Sequence, residues 1–390
     1  MATELGYILI NPYTIAKSRT GGVIARVFGR TDLKLVAARM FGPSRELAHE
    51  YSELIRHADP DHADTCRLIA DYIQKQYAPD PETGRARRVM MLLFEGENAV
   101  RKLWGVTGSA TERKVSGSTI RDTYGDYITD DDGSVRYFEP AVLVGPSVER
   151  TARTLRLWSK YSERDGGLIG CAADVPTGEN VEKTLVMLKP DNFRVPTLRP
   201  GTIVDVLSSS GLRIVAIRKF RMTVAQAMEF YGPVREALDS KFEKIGASRA
   251  ADILTKEFGF PVPEEATRPL CRQLGHLFAD SQFDKIVEFM TGVKPSECPD
   301  ALKATTGREE SLGLVYEGVN AVSKIRSILG ATDPRQAVPG SVRREFGTDV
   351  MVNAAHASDS PENAVREMGI IEIERESIRE WVDKYYGLKA

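Results

Sequence analysis

Glu95-Gly96-Glu97-Asn98-Ala99-Val100 returns later in the chain as Glu317-Gly318-Val319-Asn320-Ala321-Val322. Downstream of each, Gly117-Ser118-Thr119-Ile120-Arg121 returns as Pro339-Gly340-Ser341-Val342-Arg343, with Arg121 and Arg343 at the same offset as the first pair. Upstream, Tyr7-Ile8-Leu9-Ile10-Asn11-Pro12 matches Leu185-Val186-Met187-Leu188-Lys189-Pro190 at a shorter offset. Three matches in one order read as two copies of one domain. The change of offset places extra residues in copy two after Tyr231, in stretches rich in helix formers around 234–256 and 266–290. Copy one carries its own extra residues near Asp126–Phe138, where Asp131-Asp132-Gly133 between β-prone runs is a hairpin signal.

Each copy opens with a strand (Tyr7–Ile10; Thr184–Leu188), then a helix (Gly22–Phe28; Gly201–Ser209) and a second strand (Leu33–Met40; Leu212–Met222). Leu212, Ile214 and Ala216 alternate with polar neighbours, as a half-buried strand requires. A helix with Tyr51 or Tyr231 follows, then a strand (Met90–Phe94; Gly313–Tyr316) leading into the repeated Asn-Ala-Val helix. Each copy is too short for a doubly wound sheet, so an α/β sandwich of two tandem ferredoxin-like βαββαβ domains is expected. The boundaries read as 1–160, a Gly/Pro-rich linker over 161–182, and 183–390 with a helical insertion at about 232–280.

A length of 390 residues suits two ordinary domains, and 42% hydrophobic with 28% charged residues is a globular composition. A net charge of -2 offers no global attraction to nucleic acid or anionic lipid, so neither is expected as a partner. Apolar stretches are strand-sized, and Met1-Ala2-Thr3-Glu4 does not begin a basic, then apolar, leader. Cys66, Cys171, Cys271 and Cys298 are dispersed, which reads as reduced thiols in a cytoplasmic protein. His57, Asp59, Asp61, His62 and Asp64 read as an acidic capping loop rather than a metal site. Asp130-Asp131-Asp132-Gly133 with Glu139 reads as a hairpin rather than a calcium loop, because Ile128 would hold its first ligand position. No GxxxxGK[ST] or GxGxxG occurs, so P-loop and Rossmann binding lack support.

Four islands in copy two carry chemistry. Lys189-Pro190-Asp191 ends the first strand, and Arg326 lies in the last turns of a helix ending at Gly330, ahead of Thr332. Pro339–Arg343 is a turn presenting a second arginine. Asn353-Ala354-Ala355-His356-Ala357-Ser358-Asp359-Ser360-Pro361-Glu362 ends in an N-cap serine with proline at the first helical position. Glu367 lies about two turns into that helix, roughly 10 Å along its axis. Its reach back to His356 depends on the intervening loop.

Together the islands resemble the nucleoside diphosphate kinase family, whose pattern is KPD, EGxNAV, R-x3-G-x-T, PGTIR and NxxHGSDS-x-E. The resemblance implies a phosphotransferase in which His356 attacks the γ-phosphorus of a nucleoside triphosphate and passes the phosphoryl group to a diphosphate. It implies that Glu367 fixes the imidazole and that Ser358 bonds near the transferring group. Lys189, Tyr231, Arg326 and Arg343 match the positions that meet phosphate charge, Thr332 a β-phosphate ligand and Asn353 a sugar contact. Phe283 stands where the base stacks. Mg²⁺ is implied as cofactor, carried by the phosphates of ATP and other nucleotides rather than by a metal cluster of the protein. An intramolecular pseudo-dimer or a homo-oligomer is implied as the assembly.

Copy two departs from the pattern at Ala357, in place of the usual glycine, at Ser341, and in the insertion. Copy one departs further: Asn11, Trp104, Ala110 and Leu143 stand at the positions of Lys189, Arg326, Thr332 and His356, while Tyr51 and Arg121 remain. Copy one is therefore expected to have lost the chemistry and to stabilise or regulate copy two. Two alternatives stay open: a silent tandem nucleotide-binding or interaction protein, and a phosphohistidine that is relayed to another protein.

Overall fold

The computed structural model describes residues 3–112 and 117–387. Copy one runs β1 (Thr3–Ile10), α1 (Pro12–Ala16), α2 (Thr20–Arg30), β2 (Lys34–Phe41), α3 (Arg45–Arg56), α4 (Ala63–Gln76) and β3 (Val89–Glu97). It continues with α5 (Ala99–Thr107), α6 (Ile120–Tyr124), β4 (Asp126–Thr129), β5 (Val135–Glu139), β6 (Val142–Leu143) and α7 (Val148–Tyr161). Copy two runs β7 (Val181–Leu188), α8 (Arg199–Ser208), β8 (Arg213–Phe220), α9 (Val224–Phe258), α10 (Glu264–Thr291) and β9 (Ser311–Val319). It ends with α11 (Ala321–Leu329), α12 (Val342–Phe346), β10 (Ala355–Ala357), α13 (Pro361–Ile370) and α14 (Arg379–Tyr386).

The chain divides into two compact units, one of Met1–Phe220 with Leu312–Ala390 and one of Arg221–Ser311. In the first, a single eight-stranded sheet has the order β6-β1-β3-β2-β8-β9-β7-β10. Read from either end, each half places its last strand, first, third and second in turn, which is the ferredoxin-like order. The halves join where β2 meets β8 antiparallel at Arg39 and Arg218. Helices α2 and α8 cross beside that seam with reciprocal contacts. A Cβ on Gly21 would stand 2.3 Å from the Asp205 amide nitrogen, and one on Gly201 would stand 2.2 Å from that of Ala25. These approaches relate the copies by a local two-fold and leave no room for a side chain at either glycine.

The strands alternate their faces, and two cores result. Ile8, Ile10, Met90, Leu92, Val186 and Leu188 face a core that continues across both copies under α2, α5, α8 and α11. Leu5, Tyr7 and Leu9 face a second core with Tyr51, Tyr77 and Trp158, closed by Ile378, Val382 and Tyr386 near the C-terminus. Trp158 is fully buried, with edge contacts to Phe41 at 4.9 Å and Tyr51 at 5.4 Å between ring centroids. Trp158→Ala is expected to cost about 3–5 kcal/mol, read as a lower denaturant midpoint at unchanged slope.

The repeated Asn-Ala-Val motif owes its asparagine to backbone geometry. Asn98 and Asn320 each cap their helix at φ 53°, a left-handed conformation that asparagine tolerates. The Asp-Gly hairpin forms as the sequence predicts: Tyr127 pairs with Phe138, and Gly133 has φ +80°.

The second unit holds a long antiparallel hairpin of α9 and α10. Thr223 and Gln226 form a capping box at its start. Phe242 stacks on Phe278 at 4.4 Å, and Thr267 Oγ1 donates to the Ala247 carbonyl at 2.7 Å. The helix that carries Tyr231 does not stop before the insertion, because α9 continues through Gly232 and Pro233. Proline in a helix interior forfeits one backbone hydrogen bond; the extended packing of α9 on α10 offsets that loss.

Candidate active site

His356 stands at the centre of β10, the sheet's last strand, opposite Met187 of β7. The ladder carries on at both ends: the Lys189 amide donates to the Ala354 carbonyl at 2.9 Å and the Ser358 amide to the Leu185 carbonyl at 3.1 Å. Ala354 takes φ +69°, bending the chain into the strand. The imidazole Nε2 lies 2.9 Å from Glu367 Oε2, which also accepts from Ser358 Oγ at 2.6 Å. A carboxylate oxygen accepts, so Nε2 carries the proton and Nδ1 holds the lone pair. Ser360 caps α13 by accepting from the Asn363 amide at 3.1 Å, with Pro361 in the first turn. That cap sets the helix so that Glu367 faces inward at 4% exposure, while the His356 side chain keeps 24%.

Beside it, Lys189 Nζ donates to the Asn353 side-chain oxygen at 2.9 Å and to the Met351 carbonyl at 2.6 Å. Asn353 donates in turn to the Thr332 carbonyl at 3.1 Å and the Val350 carbonyl at 2.9 Å. Arg343 reaches the Gly330 carbonyl at 2.9 Å and the Ala355 carbonyl at 3.1 Å. Lys189, Asn353, Thr332, Arg343 and the strand of His356 are thus tied into one network. Burial pushes the Lys189 ammonium down to about 8; Asp191 opposes that shift and Arg343 adds to it.

Arg326 projects from α11 into an adjoining cleft of about 840 Å³ whose lining includes Glu182, Asn320, Ala331, Val338 and Asp359. His356, Lys189 and Asn353 do not line it; the cleft meets the site at Arg326 and Asp359. The Asp359 carboxyl is held below the usual range, first by its bond from Asn363 and further by the charge of Arg326. Tyr231 and Phe283 belong to the helical unit and are buried. The Tyr231 ring packs on Phe230 at 4.9 Å. The Phe283 ring has the Arg235 guanidinium 5.9 Å from its centroid, and Arg235 is paired with Asp280 at 2.6 Å.

Sequence reasoning passed over Arg199, which donates to Asp191 at 3.3 Å and to the Phe346 carbonyl, joining the Lys-Pro-Asp turn to α12. An arginine in the first turn of α8, where the helix dipole disfavours it, was the available signal.

Copy one repeats the scaffold with other groups in it. Leu143 pairs with Leu9 as His356 pairs with Met187, so it takes the histidine's ladder position. Arg121 reaches the Gly108 carbonyl at 2.8 Å and the Val142 carbonyl at 3.0 Å, as Arg343 does in copy two. Asn11, in place of Lys189, donates to Glu139 at 3.2 Å and accepts from Tyr77 OH at 2.7 Å. Tyr72 OH also donates to Glu139, at 2.7 Å, and all four of these residues are buried. Burial pushes the Glu139 carboxyl up. A buried carboxyl group among neutral partners is the wrong complement for phosphate. Leu143→His is therefore expected to acquire no label from γ-labelled ATP when combined with His356→Ala.

The sequence model of the nucleoside diphosphate kinase family matches residues 182–245 and 299–376. The nucleoside diphosphate kinase of Persephonella marina is 30% identical over 185 residues, 47% of this chain and 89% of its own length. That of Bdellovibrio bacteriovorus is 30% identical over 191 residues, 49% and 92% of the two chains. A crystal structure of the Aquifex aeolicus nucleoside diphosphate kinase is 29% identical, covering 49% of this chain and 94% of that one, at a TM-score of 0.30. These relatives span roughly half of the chain, and the matched segments contain His356 and its network while leaving out much of α9 and α10. Motif, geometry and relatives agree, and this chain belongs to the nucleoside diphosphate kinase family.

Proposed function

We propose that the protein exchanges γ-phosphate between nucleoside tri- and diphosphates by a ping-pong route through phospho-His356. The observation that carries this reading is the orientation of the imidazole, with Nε2 on Glu367, which puts the ring's lone pair on Nδ1. Nδ1 attacks the γ-phosphorus, the bond to the β-phosphate oxygen breaks, and the diphosphate departs with that electron pair. A second diphosphate attacks the phosphohistidine through its β-phosphate oxygen and restores His356. Glu367 holds the ring, and Ser358 holds the carboxylate oxygen that holds it. Lys189, Arg326 and Arg343 meet the charge on the phosphates, Thr332 the β-phosphate and Asn353 the sugar. By the resemblance, Tyr231 matches a further position on the phosphate side and Phe283 the position where the base stacks.

Mg²⁺ would neutralise phosphate charge. Lys189, Arg326 and Arg343 are cationic, which suits the phosphates and not a metal, so the ion would enter on the nucleotide. Among the described residues no three His, Cys, Asp or Glu side chains could hold a metal ion, and no helix is long and apolar enough to cross a membrane. The β2–β8 seam and the α2–α8 crossing support an intramolecular pseudo-dimer in which copy one takes the place of a partner subunit. Recovery of a soluble, fully active monomer after deleting residues 1–160 would refute that assembly.

The test is incubation with γ-labelled ATP and Mg²⁺. Acid-labile, alkali-stable label that GDP discharges is the expected result. An unlabelled protein supports a silent binding module, and label that GDP cannot discharge supports a relay to another protein. Lys189 adds a pH dependence. Its folded value is depressed to about 8, so its charge is lost as pH rises through 8. ADP affinity is expected to fall about tenfold between pH 7 and pH 9, and Lys189→Met is expected to flatten that titration.

A further inference from the structure

Glu367 sits on α13, and what holds the far end of α13 lies partly in copy one. The helix ends with the Ile371 amide donating to the Glu367 carbonyl at 3.1 Å and the Ile373 amide to the Met368 carbonyl at 3.1 Å. Ile371 and Ile373 are buried against Gly313, where an added Cβ would stand 3.1 Å from both side chains. From there the chain crosses the seam. Arg218 of β8 donates to the Ile371 carbonyl. Arg39 of β2 donates to the carbonyls of Glu374 at 3.0 Å and Arg375 at 2.8 Å, and its Nε donates to the Ser162 carbonyl at 2.9 Å.

These two arginines are direct cross-strand partners. Like charges so placed repel, and the burial of Arg39 with the partial burial of Arg218 adds a desolvation cost. A pair of aliphatic residues would fill the seam without either cost. What the guanidinium groups supply is donors for three carbonyls of the crossing segment. Beyond it, Ser162 Oγ donates to Glu376 at 2.8 Å, and α14 lies on copy one. There Ile378 and Val382 are at most 1% exposed, Tyr386 OH donates to the Leu5 carbonyl, and Lys384 pairs with Glu95 at 2.9 Å.

We propose that residues 371–387 are a strap by which copy one holds α13, and through Glu367 the catalytic imidazole, in register, with Arg39 and Arg218 as positioning residues. The inference rests on the phosphotransfer reading for its rate effect but not for its geometry. Copy one then serves the reaction without touching nucleotide: it anchors the strap at one end, and the His356–Glu367 bond lies at the other.

The test uses the full chain with Arg39→Gln and, as a milder variant that keeps the seam, Val382→Ala. Three quantities are measured: the single-turnover rate of His356 labelling from γ-labelled ATP, the affinity for ADP, and the ¹⁵N spectrum of the His356 ring, assigned by comparison with His356→Gln. Both variants are expected to slow labelling about tenfold, since small misplacements of a reacting group are costly. ADP affinity is expected to hold, and the Nε2-protonated form to give way to a tautomer mixture. Adding Glu367→Gln should slow them little beyond the loss that Glu367→Gln causes alone, because both changes act through one bond. Wild-type tautomer and rate in both variants would overturn the strap, as would losses fully additive with Glu367→Gln. If wild-type protein takes no label, the phosphotransfer reading falls, and the tautomer shift alone decides the strap.

Discussion

His356→Ala is expected to take no label from ATP and to lose exchange activity by at least about 10³-fold. The size of the effect follows from the architecture of the site. Copy one, the other domain of this fold, puts Leu143 at the matching ladder position, so no second nucleophile stands ready. Free imidazole added to the variant would restore part of the turnover if the missing group is only the ring. Glu367→Gln should act in the same direction with a smaller loss, because an amide can still accept from Nε2 but orients the ring less firmly. Label surviving in His356→Ala would remove the nucleophile from the proposal and with it the roles of Glu367 and Ser358.

The second large effect is structural. Gly201→Ala adds one methyl group at a point 2.2 Å from the Ala25 backbone nitrogen. Neither side of that contact is a flexible side chain, so relief requires α2 and α8 to move apart, and the core they share moves with them. Overpacking usually costs about 1–3 kcal/mol; with backbone on both sides, more than about 3 kcal/mol is expected. Denaturant unfolding should show a lower midpoint, and limited proteolysis should open the segment between the copies. Wild-type stability in Gly201→Ala would mean that the crossing is looser than the reciprocal contacts require.

The sequence reveals the two-domain plan because repeats survive where backbone geometry forces them. Asn98 and Asn320 recur because each must turn left-handed before a helix, and Arg121 and Arg343 recur because each ties a turn to the last strand of its half. The elements of the candidate site are legible for the same reason: Ser360, Pro361 and the spacing to Glu367 are local signals. What joins the halves is not legible. Arg39 and Arg218 lie far apart in the sequence, and only the pairing of β2 with β8 makes them cross-strand partners. The same holds for Asn11, Glu139, Tyr72 and Tyr77, which come together from distant parts of copy one. The sequence also does not reveal that α9 runs unbroken through Pro233, where contacts with α10 outweigh one lost hydrogen bond.

The seam between β2 and β8 joins segments of one chain, so mass action does not govern it. Two separate subunits joined by this seam and the α2–α8 crossing would part on sufficient dilution, and each would depend on the supply of the other. Here the connecting segment holds the halves at an effective concentration in the millimolar range, whatever the amount of protein present. Activity per chain should therefore stay constant down to the lowest concentration assayed. On the proposed function, the duplication would exchange a second catalytic centre for independence from abundance.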